Sequence, residues 1–398
     1  MSLNETPAAN RVHIGFFGAR NAGKSSLANA VTGQSMSVVS DIKGTTTDAV
    51  HKTMEILPIG PVVIIDTPGF DDDGTLGTLR VERTRQALAK TDIAILTVDA
   101  AIGLTDTDRE LIKLFGDTPY IIAFNKSDLV GGKKAETENS IFVSAKTGDN
   151  IYELKEKIAR LGARREEKKA VADIVNPGDT VILVIPIDES APKGRIILPQ
   201  QLILRELLDC GCRTICCQPE ELAGALENLK TPPKLVITDS QVFGTVSKTV
   251  PENILLTSFS ILLAKYKGVL PALINGAARL KTLKNSDTVL ISEGCTHHRQ
   301  CNDIGTVKLP GWIEKYSDAL PRFEFTSGGE FPADLKKYDL VLHCGGCMLN
   351  EKEMQSRIKR ASDSGVPVVN YGIAIAAMHG ILPRALSPFP DLQKIISV

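Results

Sequence analysis

Between residues 18 and 25 the chain reads Gly18-Ala-Arg-Asn-Ala-Gly23-Lys24-Ser25, directly after the apolar run Val12–Phe17 and directly before the helix-forming run Ser26–Val31. Few local patterns restrict a fold as tightly. The glycines allow a turn so close that backbone N–H groups converge on one point, and a lysine and a hydroxyl follow where a helix begins. Strand, turn and helix in that order form the opening unit of a sheet-and-helix fold that cradles phosphate. In that frame Lys24 offsets charge on the β and γ phosphates. Ser25 can ligate magnesium, with Ser26 beside it in the first helical turn.

Two more patterns follow, each at the end of an apolar run: Asp66-Thr-Pro-Gly69 after Val62–Ile65, and Asn125-Lys126-Ser-Asp128 after Tyr120–Phe124. Asp66 is expected to hold magnesium through water, and the Gly69 N–H to sense the γ phosphate. Asp128 reads the base. Its carboxylate accepts from guanine N1–H and the exocyclic amine, whereas adenine would set a lone pair against it. Asn125 is expected at the purine edge and Lys126 on the ring face. The turn Ser144-Ala145-Lys146 should offer a backbone N–H to the guanine oxygen. The expected ligand is therefore GTP with magnesium.

From Val12 to about Gly162, short β-rich runs (Val12–Phe17, His51–Leu57, Val62–Ile65, Ile93–Val98, Tyr120–Phe124, Ile141–Val143) alternate with amphipathic stretches. The alternation predicts an α/β fold with a parallel-rich sheet. Two smaller α/β sets follow. The first has strands at Thr180–Ile187, Thr214–Cys217, Leu235–Thr238 and Ile254–Thr257; the second has Thr288–Ser292, Arg322–Phe325, Asp339–His343 and Pro367–Tyr371, after a helical stretch over Phe259–Lys284. The expected domains are a GTPase domain at 1–168, a βα domain at 169–262 and a metal-binding domain at 263–398. No internal repeat is visible in the sequence.

With 46 Lys+Arg against 47 Asp+Glu among 398 residues, the chain lacks the broad basic field with which nucleic-acid binders displace counterions. No stretch approaches the roughly 20 apolar residues of a membrane span, and Met1–Val12 has no apolar leader core. A cytoplasmic protein is expected, one that binds neither nucleic acid nor membrane. In that reducing compartment eight cysteines read as thiols and metal ligands rather than as disulfides.

Four of the cysteines lie toward the C-terminal end, three of them beside histidines. Cys295-Thr-His297-His298 follows the run Thr288–Ser292, and His343-Cys344-Gly-Gly-Cys347 ends Asp339–His343. If both runs are strands of one parallel sheet, their carboxyl ends open on one edge and three thiols and up to three imidazoles converge. The glycines of the Cys344–Cys347 turn free the backbone to bring two sulfurs onto one ion or cluster. The spacing also permits a structural zinc in Cys3His coordination. Cys210, Cys212, Cys216 and Cys217 read as small core residues and Cys301 as a spare thiol; His13, His51, His379 and Trp312 lack a motif.

The nucleotide motifs resemble those of bacterial GTPases of the Era and MnmE type. Gly44-Thr45-Thr46-Thr47-Asp48 is similar to the switch of that group, which implies Thr46, or alternatively Thr45, as the magnesium-binding threonine. The resemblance also makes Asn21 a potassium-binding residue and places Lys24, Asn21, Thr46 and Gly69 in the catalytic machinery. Phe70 stands where Ras-like enzymes carry a water-orienting glutamine, so hydrolysis is expected to be slow unless another charge is supplied, and to be stimulated by potassium. Over its whole length, with Cys-x-His, some 45 residues, then His-Cys-x-x-Cys behind a GTPase domain, the chain resembles the iron-iron hydrogenase maturation GTPases, HydF. That resemblance implies a 4Fe-4S cluster on Cys295, Cys344 and Cys347, with an exchangeable fourth ligand, His297 or His343. It implies dimerisation through the middle domain, a diiron precursor as cargo, and radical-SAM maturation enzymes and apo-hydrogenase as partners. The competing reading is an RNA-modification or ribosome-assembly GTPase with an accessory zinc module.

Overall fold

The computed structural model describes residues 8–33, 50–67, 75–131, 137–163, 168–187, 196–294 and 303–396. The chain divides into two compact units, Met1–Glu166 and Glu167–Val398. No helix among the described residues is long and apolar enough to cross a membrane.

The first unit runs β1 (Val12–Phe17), α1 (Lys24–Thr32), β2 (Val50–Ile56), β3 (Gly60–Asp66), α2 (Thr75–Leu88), β4 (Ile93–Asp99), α3 (Asp106–Phe115), β5 (Tyr120–Asn125), β6 (Ser140–Phe142) and α4 (Ile151–Ala163). Its sheet has the order β2-β3-β1-β4-β5-β6, and every pair is parallel except β2 with β3. Each residue of β1 is buried, because alternate side chains enter separate apolar layers. Ile14 and Phe16 pack with Leu27 of α1 and Leu154 of α4 on one face. Phe17 packs with Leu111 and Phe115 of α3 on the other. Helix α3 is amphipathic and its start is fixed by a capping box between Thr105 and Asp108.

The second unit holds two four-stranded parallel sheets. One comprises β7 (Thr180–Val184), β8 (Arg213–Cys217), β9 (Leu235–Thr238) and β10 (Leu255–Ser258) in the order β10-β9-β7-β8. The other comprises β11 (Thr288–Ser292), β12 (Arg322–Thr326), β13 (Leu340–His343) and β14 (Val368–Asn370) in the order β12-β11-β13-β14. One continuous apolar core serves both.

Counted from the first strand of each, the two sheets have the same order, and local details match strand by strand. Before the first strand an aspartate accepts from the backbone N–H three residues earlier, Asp179 from Asn176 and Asp287 from Lys284. The same carbonyls accept at equivalent places: Arg213 N–H bonds Asp179 O as Arg322 bonds Asp287 O, and Lys234 bonds Thr180 O as Asp339 bonds Thr288 O. After the fourth strand, Ser258 and Asn370 cap the next helix from the same position. Gly268 and Gly380 then end it at φ +70° and +71°, and Leu270-Pro271 and Leu382-Pro383 open another. The second unit is thus a tandem duplication, contrary to the reading of the sequence as free of repeats. What the copies share is backbone duty, which few side-chain identities mark.

The modules exchange their closing helices. Helix Leu270–Ala277 packs on β14 of the second module, and Leu382–Ala385 packs on β10 of the first. The equivalent residues Ser260 and Gly372 face each other, so closely that a Cβ on Gly372 would stand 1.9 Å from Ser260 Oγ. That places them near a local two-fold axis. A boundary at residue 262 would cut the helix Phe259–Tyr266.

Other differences from the sequence expectations are local. The expected helix over 259–284 breaks at Gly268, because its left-handed conformation ends one helix before Pro271 opens the next. The strand expected to reach Ile187 ends at Val184, ahead of Pro186, which has no N–H for a ladder. Tyr371 starts a helix rather than ending a strand. Cys216, expected in the core, is exposed on the edge strand β8.

Gly276 carries the exchange most directly, since a Cβ there would lie 1.9 Å from the Val368 carbonyl oxygen, whereas Gly224 faces open space. Gly276→Ala is expected to destabilise the second unit by about 1–3 kcal/mol through overpacking. Gly224→Ala in the exposed helix Leu222–Glu227 should stabilise it by about 0.5–1 kcal/mol. Denaturant unfolding of the two variants checks the sign and the contrast.

Candidate functional site

The nucleotide site is assembled from the carboxyl ends of β1, β3 and β5. The loop after β1 starts at Gly18, with φ +142°, where a Cβ would collide with the Thr97 carbonyl of β4 at 2.2 Å. It ends at Gly23, with φ +89°, packed against the Asn125 amide. Asn21 between them is also left-handed, at φ 64°. Lys24 opens α1 and folds back over the loop, donating to Gly18 O at 3.1 Å and Ala19 O at 2.8 Å. A cleft lined by Arg20, Asn21, Val98, Asp99, Ile102 and Asp108 lies beside it.

Parallel pairing of β1 with β3 sets Asp66 opposite Phe16 and brings it to α1, where Ser25 Oγ donates to Asp66 Oδ2 at 2.5 Å. Burial raises the Asp66 carboxyl above its ordinary range, against the Ser25 bond and the Lys24 charge, which lower it. Its other oxygen, Oδ1, is buried with no hydrogen-bond partner. A hydroxyl, a carboxylate and a buried oxygen in want of a positive partner fit hydrated magnesium. Residues Thr45, Thr46, Gly69 and Phe70 lie outside the described residues.

Asn125 ends β5 and ties this loop to the turn Ser144-Ala145-Lys146. Its Nδ2 donates to Ala22 O at 3.1 Å and its Oδ1 accepts from Ala145 N at 3.0 Å. Both ends of the amide assigned to the purine edge are thus engaged by the protein. Asp128 accepts from Ser144 Oγ at 2.7 Å, which aims its carboxylate. Lys126, left-handed at φ 63°, pairs with Asp99 of β4 at 2.6 Å. Ser26 lies in the first turn of α1 and Lys146 beside Ala145 in the turn.

The cysteine end occupies the switch point of the second module, between β11 and β13, where the chain leaves one strand to the left and the other to the right. The register pairs Ser292 with His343, and Cys344 N–H bonds Ser292 O at 2.9 Å. Cys344 Sγ accepts from Gly294 N at 3.0 Å and Gly346 N at 3.3 Å. Burial raises both the Cys344 and the Cys347 thiols above the usual range, against the backbone donors at Cys344 and the Lys267 charge at Cys347, which lower them. A half-buried sulfur that receives two backbone N–H groups has surroundings that suit a thiolate. Cys295, His297, His298 and Cys301 lie outside the described residues, among which no group of three or more His, Cys, Asp or Glu could hold a metal ion.

His343 is fully buried. Its Nε2 lies 3.1 Å from Arg357 Nη1 and its Nδ1 2.8 Å from Cys344 O. A guanidinium only donates, so Nε2 accepts and the proton sits on Nδ1, donating to the carbonyl. Burial and Arg357 hold the imidazole neutral, down to about 3. To become a ligand, His343 would have to give up one of these bonds. Arg357 also donates to Gly328 O and Glu353 Oε1. Lys267 reaches the loop from below, donating to the carbonyls of Gly346 and Leu349. Burial lowers it to about 8 while both thiols and two glutamates raise it, so it is an ammonium at neutral pH. Sequence reasoning named neither Arg357 nor Lys267. A lysine next to a helix-ending glycine reads as an ordinary dipole partner.

Comparison with known proteins divides the chain in the same places. The family model described as hydrogen maturase F tetramerization domain matches residues 271–388, that of the hydrogen maturase F dimerization domain matches 170–268, and that of a 50S ribosome-binding GTPase matches 13–126. The tRNA modification GTPase MnmE of Neisseria meningitidis is 37% identical over 155 residues, covering 37% of this chain and 34% of the relative. The MnmE of Acetivibrio thermocellus is 35% identical over 157 residues, with 37% and 34% covered. The chain thus spans about a third of the length of these relatives. Among solved structures, Aquifex aeolicus Era bound to GDP and aluminium fluoride matches at 20% identity and a TM-score of 0.34, covering 51% of this chain and 91% of that one.

Loss of the Asn125 tie should loosen both the phosphate loop and the base turn. Asn125→Ala is expected to weaken GTP binding by roughly tenfold to a hundredfold, the equivalent of about 1–3 kcal/mol for buried bonds left unmade. Titration with a fluorescent GTP analogue measures it, and an unchanged affinity would show that the tie is dispensable.

Proposed function

The chain belongs to the hydrogen maturase F family, and we propose that it is a GTP-hydrolysing scaffold for assembly of the iron-iron hydrogenase active site. The observation that carries this reading is the pair of half-buried thiols at the switch point of the second module, one of them already receiving two backbone N–H donors. In this proposal Cys295, Cys344 and Cys347 hold a 4Fe-4S cluster, which supplies an iron with a replaceable fourth ligand. Because both ring nitrogens of His343 are engaged, the proposal assigns that position to His297. The cargo is a diiron precursor, received with radical-SAM maturation enzymes and passed to apo-hydrogenase in the cytoplasm. The chain acts as a homodimer or larger assembly, in line with the domains it carries. Of the expected domains, 1–168, 169–262 and 263–398, the middle one is proposed to run on to about residue 268, so that the helix Phe259–Tyr266 stays whole.

At the other site, Ser25, Asp66 and Thr46 hold magnesium, Asp66 through water. Lys24 leaves the loop carbonyls to meet the β and γ phosphates. Gly69 senses the γ phosphate, and its release on hydrolysis times partner exchange. With Phe70 unable to orient water, Asn21 recruits potassium to supply the missing charge. The reading as an RNA-modification GTPase draws on relatives matched over no more than 157 residues, fewer than the first unit holds, and nothing among the described residues of the second unit favours it.

Anaerobic purification tests the scaffold. A brown protein with iron and acid-labile sulfide, lost in Cys344→Ser and Cys347→Ser, is expected; a colourless zinc protein would sink the proposal. For the nucleotide site, Asp128→Asn should shift preference from GTP toward xanthosine triphosphate, whose extra oxygen needs a donor where guanine's amine needs an acceptor. Potassium should accelerate turnover over sodium in the parent and not in Asn21→Ala. Competition binding and phosphate release in the two salts measure these effects, and indifference to base or cation would refute the respective role.

A further inference from the structure

The loop bearing Cys344 and Cys347 belongs to the second module, but the cation beneath it comes from the first. Lys267 follows the helix Phe259–Tyr266 and is only 3% exposed. Its Nζ donates to the carbonyls of Gly346, between the two cysteines, and Leu349, just after them. Its own carbonyl accepts from Gln355 Nε2 at 3.0 Å, which fixes the backbone that launches the side chain. The glutamates whose field it feels already have cations of their own. Glu353 pairs with Arg357 and Glu351 with Lys168. Lys267 therefore brings a positive charge to the cysteine loop that the surrounding carboxylates do not claim.

The duplication provides a control within the same chain. The residue equivalent to Lys267, one place before the left-handed Gly380 as Lys267 is before Gly268, is His379. His379 is exposed and stands 6.2 Å from Trp312. The fold therefore does not need a buried cation at this helix end. Taking an ammonium out of water costs several kcal/mol, which neutral carbonyls offset only in part. The charge complement that would justify its burial is an anion in the loop above.

We propose that Lys267 is a positioning residue for the cysteine site, a fixed positive charge set under the Cys344–Cys347 loop to offset the negative charge of a thiolate-bound iron-sulfur group. The inference rests on the iron-sulfur reading given above. Three thiolates on a four-iron core leave the assembly anionic, and reduction adds one more negative charge. A cation held one loop away favours the more negative state. Lys267 thus raises the reduction potential and helps three thiolates gather at one place.

The test uses the full chain, reconstituted anaerobically with iron and sulfide, in the parent, Lys267→Gln and Lys267→Arg. Glutamine keeps a donor for the loop carbonyls without the charge; arginine keeps the charge. Iron and sulfide are counted first, and the midpoint potential is then read by redox titration with electron paramagnetic resonance. The expected result is a more negative midpoint in Lys267→Gln, with Lys267→Arg close to the parent. Failure of Lys267→Gln alone to retain iron would also support the proposal, since the charge would then be needed for assembly. A midpoint unchanged in Lys267→Gln overturns it. Equal changes in the glutamine and arginine variants, whether in potential or in iron content, overturn it too, because packing rather than charge would be at work. A parent that takes up no iron and sulfide refutes the iron-sulfur reading itself, a result distinguishable from failure of the Lys267 role.

Discussion

A parallel strand covered on both faces can put a polar side chain to use only where it ends. Along β1, β4 and β13 the side chains are mostly apolar and almost wholly buried, and the backbone is occupied by its ladders. Chemistry is therefore pushed to the carboxyl edge. The phosphate loop leaves β1, Asp66 closes β3, Asn125 closes β5, and Cys344 leaves β13. Strand order decides which of these ends meet. In the first unit it sets β1 between β3 and β4, so the loop, Asp66 and the Thr97 carbonyl surround one space. In the second module it sets β11 beside β13, so the segment entering Cys295 and the one carrying Cys344 start from adjacent strands.

Where a residue's task is written in its immediate neighbours, the sequence was legible. The loop glycines, Lys24, Ser25 and the aspartates ending β3 and following β5 belong to short patterns whose spacing states their geometry. Strands such as Leu235–Thr238 and Thr288–Ser292 lie where their apolar runs put them. Tasks that depend on distant partners were hidden. His343 next to Cys344 looks like a ligand, and only the approach of Arg357 from the helix Glu351–Asp363 shows both its nitrogens engaged. Asn125 looks like a base contact until Ala22 and Ala145 are seen on either side of it. The duplication escaped notice for a related reason: a capping Ser258 and a capping Asn370 perform one duty with different side chains.

The two copies also show how a shared scaffold is specialised. Where the second module has His343, Cys344 and Cys347 after its third strand, the first has Thr238, Asp239 and Val242. Thiols at these positions are confined to one copy, and the neutral imidazole and the Arg357–Glu353 pair stiffen the ground beneath them. A buried network of this kind is costly when any member is missing, which ties the conformation of the loop to the helix Glu351–Asp363.

The exchange of closing helices bears on how the chain is made. The strand β10 is complete by Ser258, but the helix that covers it begins at Leu382, and the hydroxyl that bonds Leu256 belongs to Ser387. During synthesis from the N-terminus the first module would wait, with part of its apolar sheet uncovered, until residues 382–387 had left the ribosome. Truncation ahead of Leu382 would strip the cover from a strand encoded more than a hundred residues upstream.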